Sequence, residues 1–176
     1  MRNVLFILGQ LTDLDVEWLA STGSRVKLAP GTTVITEGRP VDAITIVLDG
    51  ELVVALEEAH QEVGRLGPGE IVGEMSFVDA APPSATVRAS TGSVVLSVPR
   101  RQLSARLASD DGFAARFYRA IAMLLSDRLR TANARRGAPR AAGALAEDEL
   151  DTNLLDTVSI AGERFGRMLK RLSASE

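Results

Sequence analysis

The segment with the clearest capacity for chemistry is Gly69-Glu70-Ile71-Val72-Gly73-Glu74-Met75-Ser76-Phe77-Val78-Asp79, followed by Pro82-Pro83-Ser84-Ala85-Thr86-Val87. A short helix opening near Gly73-Glu74 leaves its first main-chain N–H groups without partners inside the helix, and such groups hold the oxygen atoms of an anion. Gly73 lacks a Cβ, so the main chain can approach a ligand closely there. The chemistry in view is capture of an anion and not the breaking of bonds. No nucleophile–base pair, Walker loop or dinucleotide fingerprint accompanies the segment, so the reading is of a non-catalytic protein with no catalytic residues. No metal is expected either. The chain has no cysteine, and its one histidine, His60, sits in the polar run Glu57-Glu58-Ala59-His60-Gln61-Glu62 that reads as a hairpin tip.

The elements that must position this segment are legible as short β-branched runs. Val26-Lys27-Leu28, Thr33-Val34-Ile35, Ala43 to Leu48, Leu52 to Leu56, Glu62 to Leu66, Ala85 to Ala89 and Val94 to Val98 each read as strands. Asp49-Gly50 between two of them is a type I′ hairpin signal, and Pro30-Gly31, Glu37-Gly38, Gly67-Pro68-Gly69 and Thr91-Gly92 punctuate the rest. Short, evenly spaced strands point to an antiparallel roll or barrel and away from alternating βαβ units. Ahead of them, Leu11 to Ser21 reads as a helix with Thr12 as N-cap and Leu11, Leu14, Trp18 and Leu19 at helical spacing, Trp18 being a packing residue. After Pro99, a short helix is expected from Arg100 to Ala108 and a long one from about Gly112 to Arg136. The long helix carries an apolar stripe of Phe113, Phe117, Ile121, Leu124, Leu125 and Leu129. Residues 137–146 form an Ala/Gly/Pro-rich linker, and 147–176 an amphipathic tail whose apolar positions run from Leu150 and Leu154 to Met168 and Leu172. Gly162 and Gly166 weaken the expectation of one unbroken tail helix.

The Gly-Glu start, the one-turn helix and the Ser-Ala-Thr opening of the next strand resemble the phosphate-binding cassette of cyclic-nucleotide-binding domains, the β-roll of catabolite-activator proteins and protein-kinase-A regulatory subunits. Gly31, Gly38 and Gly50 fall at that family's turn positions, and Gly112 to Asn133 looks like its long C-terminal helix. The resemblance covers about Leu11 to Arg136, within a first domain of 1–136. It implies an α+β fold: an antiparallel jelly-roll-type β-roll flanked by a short N-terminal and a long C-terminal helix. It also implies a cyclic nucleotide as ligand and no other cofactor. Glu74 would accept a hydrogen bond from the ribose 2′-hydroxyl, and Gly73, Met75 and Ser76 would offer main chain to the cyclic phosphate. Ser84 and Ala85 would close its other side, and Asn133, with Thr131 nearby, would meet the base.

The sequence departs from the family at one position. Nine residues after the cassette glutamate the family places an arginine against the phosphate, and here stands Pro83, with neither charge nor N–H. A charge-assisted hydrogen bond is worth about 1.5–3 kcal/mol, so its loss corresponds to roughly tenfold to a hundredfold in affinity. Arg65 and Arg88 are substitutes only if they point into the roll; otherwise each is a solvated strand arginine. Glu74, without its arginine, has a second role open to it: capping the N–H groups of its own helix.

Composition adds exclusions. A net charge of -3 gives no global pull toward nucleic acid or anionic membrane. All but two of the 20 basic residues are arginine. The cluster Arg128, Arg130, Arg135, Arg136 and Arg140 reads as cations at an exposed helix end, and the 40 residues after Arg136 show no helix-turn-helix, so DNA is not an expected partner. Val4 to Leu8 is too short for a signal-peptide core and no run suits a membrane span, which makes the expected location cytoplasmic. The expected partners are a second copy, meeting along the long helix, and a protein docking on the tail.

Overall fold

The computed structural model describes residues 7–135 and 152–173, with side chains at 7–134 and 159–173. The expected linker and the acidic start of the tail lie outside the described residues. Among the described residues eight strands form two antiparallel four-stranded sheets: β1 (Ser24–Leu28), β8 (Ser93–Pro99), β3 (Ala43–Asp49) and β6 (Ile71–Val72) in that order, and β2 (Thr33–Ile35), β7 (Thr86–Ala89), β4 (Leu52–Leu56) and β5 (Gln61–Leu66) in the other. This is the expected jelly-roll-like α+β fold.

Strand alternation divides the apolar residues between two cores. Val47, Val72 and Val95 face the inside of the roll, where they meet Ile35, Leu52, Leu66, Val87 and Ala89. Their neighbours Ile44, Ile46, Ile71, Leu96 and Val98 face the helices. β3 is therefore buried on both faces, which is why it reads as a continuous apolar run. Ile71-Val72 is a strand that the sequence reading passed over, since two residues are too few to show alternation.

The Asp49-Gly50 hairpin expectation is corrected. Gly50 does take a left-handed φ of +83°, but the turn carries the chain from one sheet to the other, and β3 and β4 do not pair. A Cβ on Gly50 would lie 2.6 Å from the Gly92 carbonyl oxygen, so close packing demands glycine as much as the turn does. The expected hairpin at 57–60 does join β4 to β5, with His60 exposed at its tip.

Helices cover the β1-β8-β3-β6 sheet. α1 (Asp13–Thr22) opens with a reciprocal cap, in which the Asp15 N–H donates to the Thr12 hydroxyl and the Thr12 N–H to the Asp15 carboxylate. The expected inward face of α1 is turned by one position. Leu14 is 73% exposed, whereas Asp15 is buried beside Val16 and Leu19. The cause is Arg116, on the long helix α4 (Asp111–Arg135), which grips both Asp15 oxygens at 2.7 and 3.0 Å. Trp18 packs edge-on against Phe113, 5.5 Å between centroids. α3 (Arg100–Ser109) buries Leu103 and Leu107.

Burial works to raise the Asp15 carboxyl, but hydrogen bonds from Arg116 and Thr12 outweigh it and hold it below its ordinary 3.8. A depressed carboxyl stabilises the fold above its unfolded value and loses that contribution as pH falls through the folded one. Asp15→Asn should cost about 1–3 kcal/mol at neutral pH, and the difference from wild type should shrink below about pH 4. Urea midpoints from pH 2 to 7 check this; a difference constant with pH would refute it.

The tail helix α5 (Thr152–Ser173) runs unbroken through Gly162 and Gly166, contrary to expectation. Tertiary contacts outweigh the propensity cost of roughly 1 kcal/mol per glycine. Ala161, Met168 and Leu172 are buried in the helical core. Arg164 pairs with Asp13 at 2.7 Å and reaches the carbonyls of Leu8 and Gly9, and Arg171 pairs with Glu17. Within residues 159–173 these apolar positions pack on this chain; the expectation that the tail docks a protein partner rests on the whole of residues 147–176.

Candidate functional site

The cassette begins where β6 ends. Gly73 turns the chain with a φ of +89°, α2 (Glu74–Asp79) follows, and Ala80, also left-handed, releases the chain toward Pro82 and Pro83. A Cβ at Gly73 would stand 2.8 Å from the Ala43 carbonyl oxygen and 3.2 Å from Val41. Gly73→Ala should therefore cost about 1–3 kcal/mol from backbone strain plus the clash, read as a fall in thermal midpoint; an unchanged midpoint would count against it. Arg100 fixes the helix from α3. Its guanidinium donates to the Ser76 carbonyl at 2.8 Å and lies 5.3 Å from the Phe77 ring centroid. Phe77 in turn meets Phe117 of α4 edge-on at 6.0 Å.

A cavity of about 490 Å³ opens beside this turn, within the usual size of small-molecule sites. The sequence-predicted residues Gly73, Glu74, Met75, Ser76, Ser84 and Ala85 all line it, as does Pro83. Val54, Val63 and Leu66 supply an apolar wall from β4 and β5, and Asp127, Arg128, Thr131 and Ala132 close it from the last turns of α4. Thr131 is thus on the wall. Asn133 is exposed and not among the lining residues.

Glu74 is the chemical centre of the site. It is only 2% exposed, and Arg128 of α4 donates to its carboxylate through one terminal nitrogen while the other donates to the Ile71 carbonyl at 2.7 Å. Burial pushes the Glu74 carboxyl above its ordinary 4.5; Arg128 and the main-chain N–H of Glu74 pull the other way without cancelling it.

The arginines resolve differently from their sequence reading. Arg65 lines the cavity, but its guanidinium is largely exposed and held by Glu62 at 2.6 Å and Glu51 at 2.8 Å. Arg88 is bound to Glu57 and is not a lining residue. Arg128, grouped in the sequence with cations at an exposed helix end, is instead the half-buried partner of the cassette glutamate. A signal was available. Phe113, Phe117, Ile121 and Leu124 recur at i+4 and i+3, and the next position of that series is Arg128, whereas Leu129 is 62% exposed. Among the described residues no group of three or more His, Cys, Asp or Glu could hold a metal ion, and no helix is long and apolar enough to cross a membrane.

A two-sheet roll, a glycine-led cassette and a long helix closing the cavity over it define a domain of the cyclic-nucleotide-binding type. Residues 25–110 match the cyclic nucleotide-binding domain family, and the roll they form has the fold of such domains. A cyclic nucleotide-binding domain from Methylobacillus flagellatus has a similar structure, with a TM-score of 0.67 and 26% identity over 76% of this chain and 80% of that one. An uncharacterized NTE family protein of Mycobacterium tuberculosis is 27% identical across 95% of this chain, which spans only 28% of that relative. A cAMP-dependent protein kinase regulatory subunit of Yarrowia lipolytica is 35% identical across 48% of this chain, 23% of the relative's own length.

Proposed function

We propose that the chain is a cytoplasmic, non-catalytic regulatory module that takes a cyclic nucleotide or related anionic ligand into the cavity beneath α4 and relays occupancy through that helix. One observation carries the reading: a single cavity is walled by the cassette on one side and by α4 on the other, with the Glu74–Arg128 pair spanning them. An occupant touches the part that senses and the part that moves. Gly73, Glu74, Met75 and Ser76 are the residues offered to ribose and phosphate, with Ser84 and Ala85 opposite. Thr131, on the wall, takes precedence over Asn133 as the contact to the base. Calorimetry with cyclic AMP and cyclic GMP tests this directly. Saturable heat is expected, and none at millimolar ligand would remove the reading.

The same helix suits a homodimer. Ala115, Tyr118, Ala122 and Leu129 follow one another at intervals of three, four and seven along its outer side, the spacing of a two-helix seam, and Tyr118 and Leu129 are 47% and 62% exposed. Leu129→Glu should weaken self-association more than tenfold in sedimentation, a change of about 1.4 kcal/mol or more. A monomeric wild type would refute the seam. The second reading is a degenerate domain that serves as a dimerisation scaffold without a ligand, and Pro83 on the cavity wall favours it. Dimerisation without any nucleotide heat is its signature.

A further inference from the structure

We infer that Arg128 replaces, from the long helix, the phosphate-binding cation that the cassette lacks at Pro83, so that an anionic ligand is gripped by the cassette and by α4 at once. The inference rests on the sensing role proposed above and names the residue that would decide the ligand's charge.

The cavity wall carries Glu70, Glu74, Asp79 and Asp127 against Arg65 and Arg128. An anion entering such a wall needs a cation, because a charge taken from water into a partly enclosed site is costly unless paired. Arg65 is poorly suited: its side chain is 57% exposed and its guanidinium is committed to two carboxylates. Arg128 is 29% exposed, lines the cavity together with Met75, Ser76 and Pro83, and is already bonded to the cassette through Glu74 and the Ile71 carbonyl. A guanidinium has five N–H donors, so two such bonds leave donors for a phosphate oxygen without breaking the pair with Glu74. That pair fixes the guanidinium at the cavity edge, which limits the entropy lost when a ligand binds. The arrangement makes binding conditional on the docked position of α4, since the cation rides on its last turns.

The test compares cyclic AMP with adenosine, which lacks the phosphate. Calorimetry is run on the whole chain, on Glu74→Gln and on Glu74→Gln/Arg128→Gln; the double variant avoids leaving a buried carboxylate alone. If Arg128 meets the phosphate, Glu74→Gln keeps a preference for cyclic AMP over adenosine, and the double variant loses that preference by about tenfold to a hundredfold. A purely structural role for Arg128 would weaken both ligands equally and leave the preference unchanged, which would overturn the inference while the sensing role stands. Pro83→Arg in the double variant should restore the preference. Absence of binding to either ligand by the unmodified chain would overturn both the sensing role and this inference.

Discussion

Replacing Arg128 by alanine should destabilise the protein by about 3–5 kcal/mol at neutral pH, and adding Glu74→Gln should recover most of the loss. The reason lies in the asymmetry of the pair. Arg128 is 29% exposed and partly solvated, whereas Glu74 is 2% exposed and has no water to turn to when its partner is removed. The remaining carboxylate must then stay charged in an apolar setting or take up a proton. Burial already raises this carboxyl with the arginine in place, and removing the arginine raises it further. A carboxyl raised in the fold favours the folded state at low pH and penalises it as pH climbs through the folded value. The cost of Arg128→Ala should accordingly be smaller at pH 5 than at pH 8. Urea midpoints of the single and double variants at both pH values provide the check. A loss that Glu74→Gln does not relieve would mean that Arg128 acts through its packing and its bond to Ile71 and not through charge.

Phe117→Ala should produce a loss of similar size, about 3–5 kcal/mol, with a different local signature. Phe117 is 2% exposed and sits among Phe77, Phe113 and Tyr118, with ring centroids 5.8–6.0 Å apart. Part of the loss is buried area and the void left behind; part is the edge-on aromatic contacts, each worth roughly 0.5–1.5 kcal/mol. Phe77 belongs to α2 and Phe117 to α4, so the void opens where the cassette leans on the helix. Hydrogen exchange at residues 74–79 should therefore accelerate in Phe117→Ala more than in Phe113→Ala, whose ring meets Trp18 and Phe117 but makes no ring contact with Phe77. Equal acceleration in the two variants would show that the cassette merely follows global stability.

Much of the fold was legible because local signals and tertiary demands agree. β-branched runs marked seven of the eight strands, and Thr12 marked the start of α1. The cassette was legible for the same reason: Gly73 is needed both for its φ of +89° and for its closeness to Ala43. What escaped was set by distant partners. Asp49-Gly50 has the chemistry of a hairpin, but which sheet receives the next strand depends on pairing with β7, more than 30 residues along the chain. Leu14 outranks Asp15 on any hydrophobic pattern until Arg116, 101 residues later, takes the carboxylate inward. Arg128 was hidden likewise, since a cation near a helix end is ordinarily solvated and only the opposite wall explains its burial.

The two-residue strand before the cassette has a mechanical consequence. Ile71 is rooted among the helices and Val72 inside the roll, so adjacent links of one chain are anchored in different compartments. Such a hinge pin cannot slide toward one side without dislodging the other. Pressure on the wall at Val72 is therefore passed along the main chain to Ile71 and the helical core.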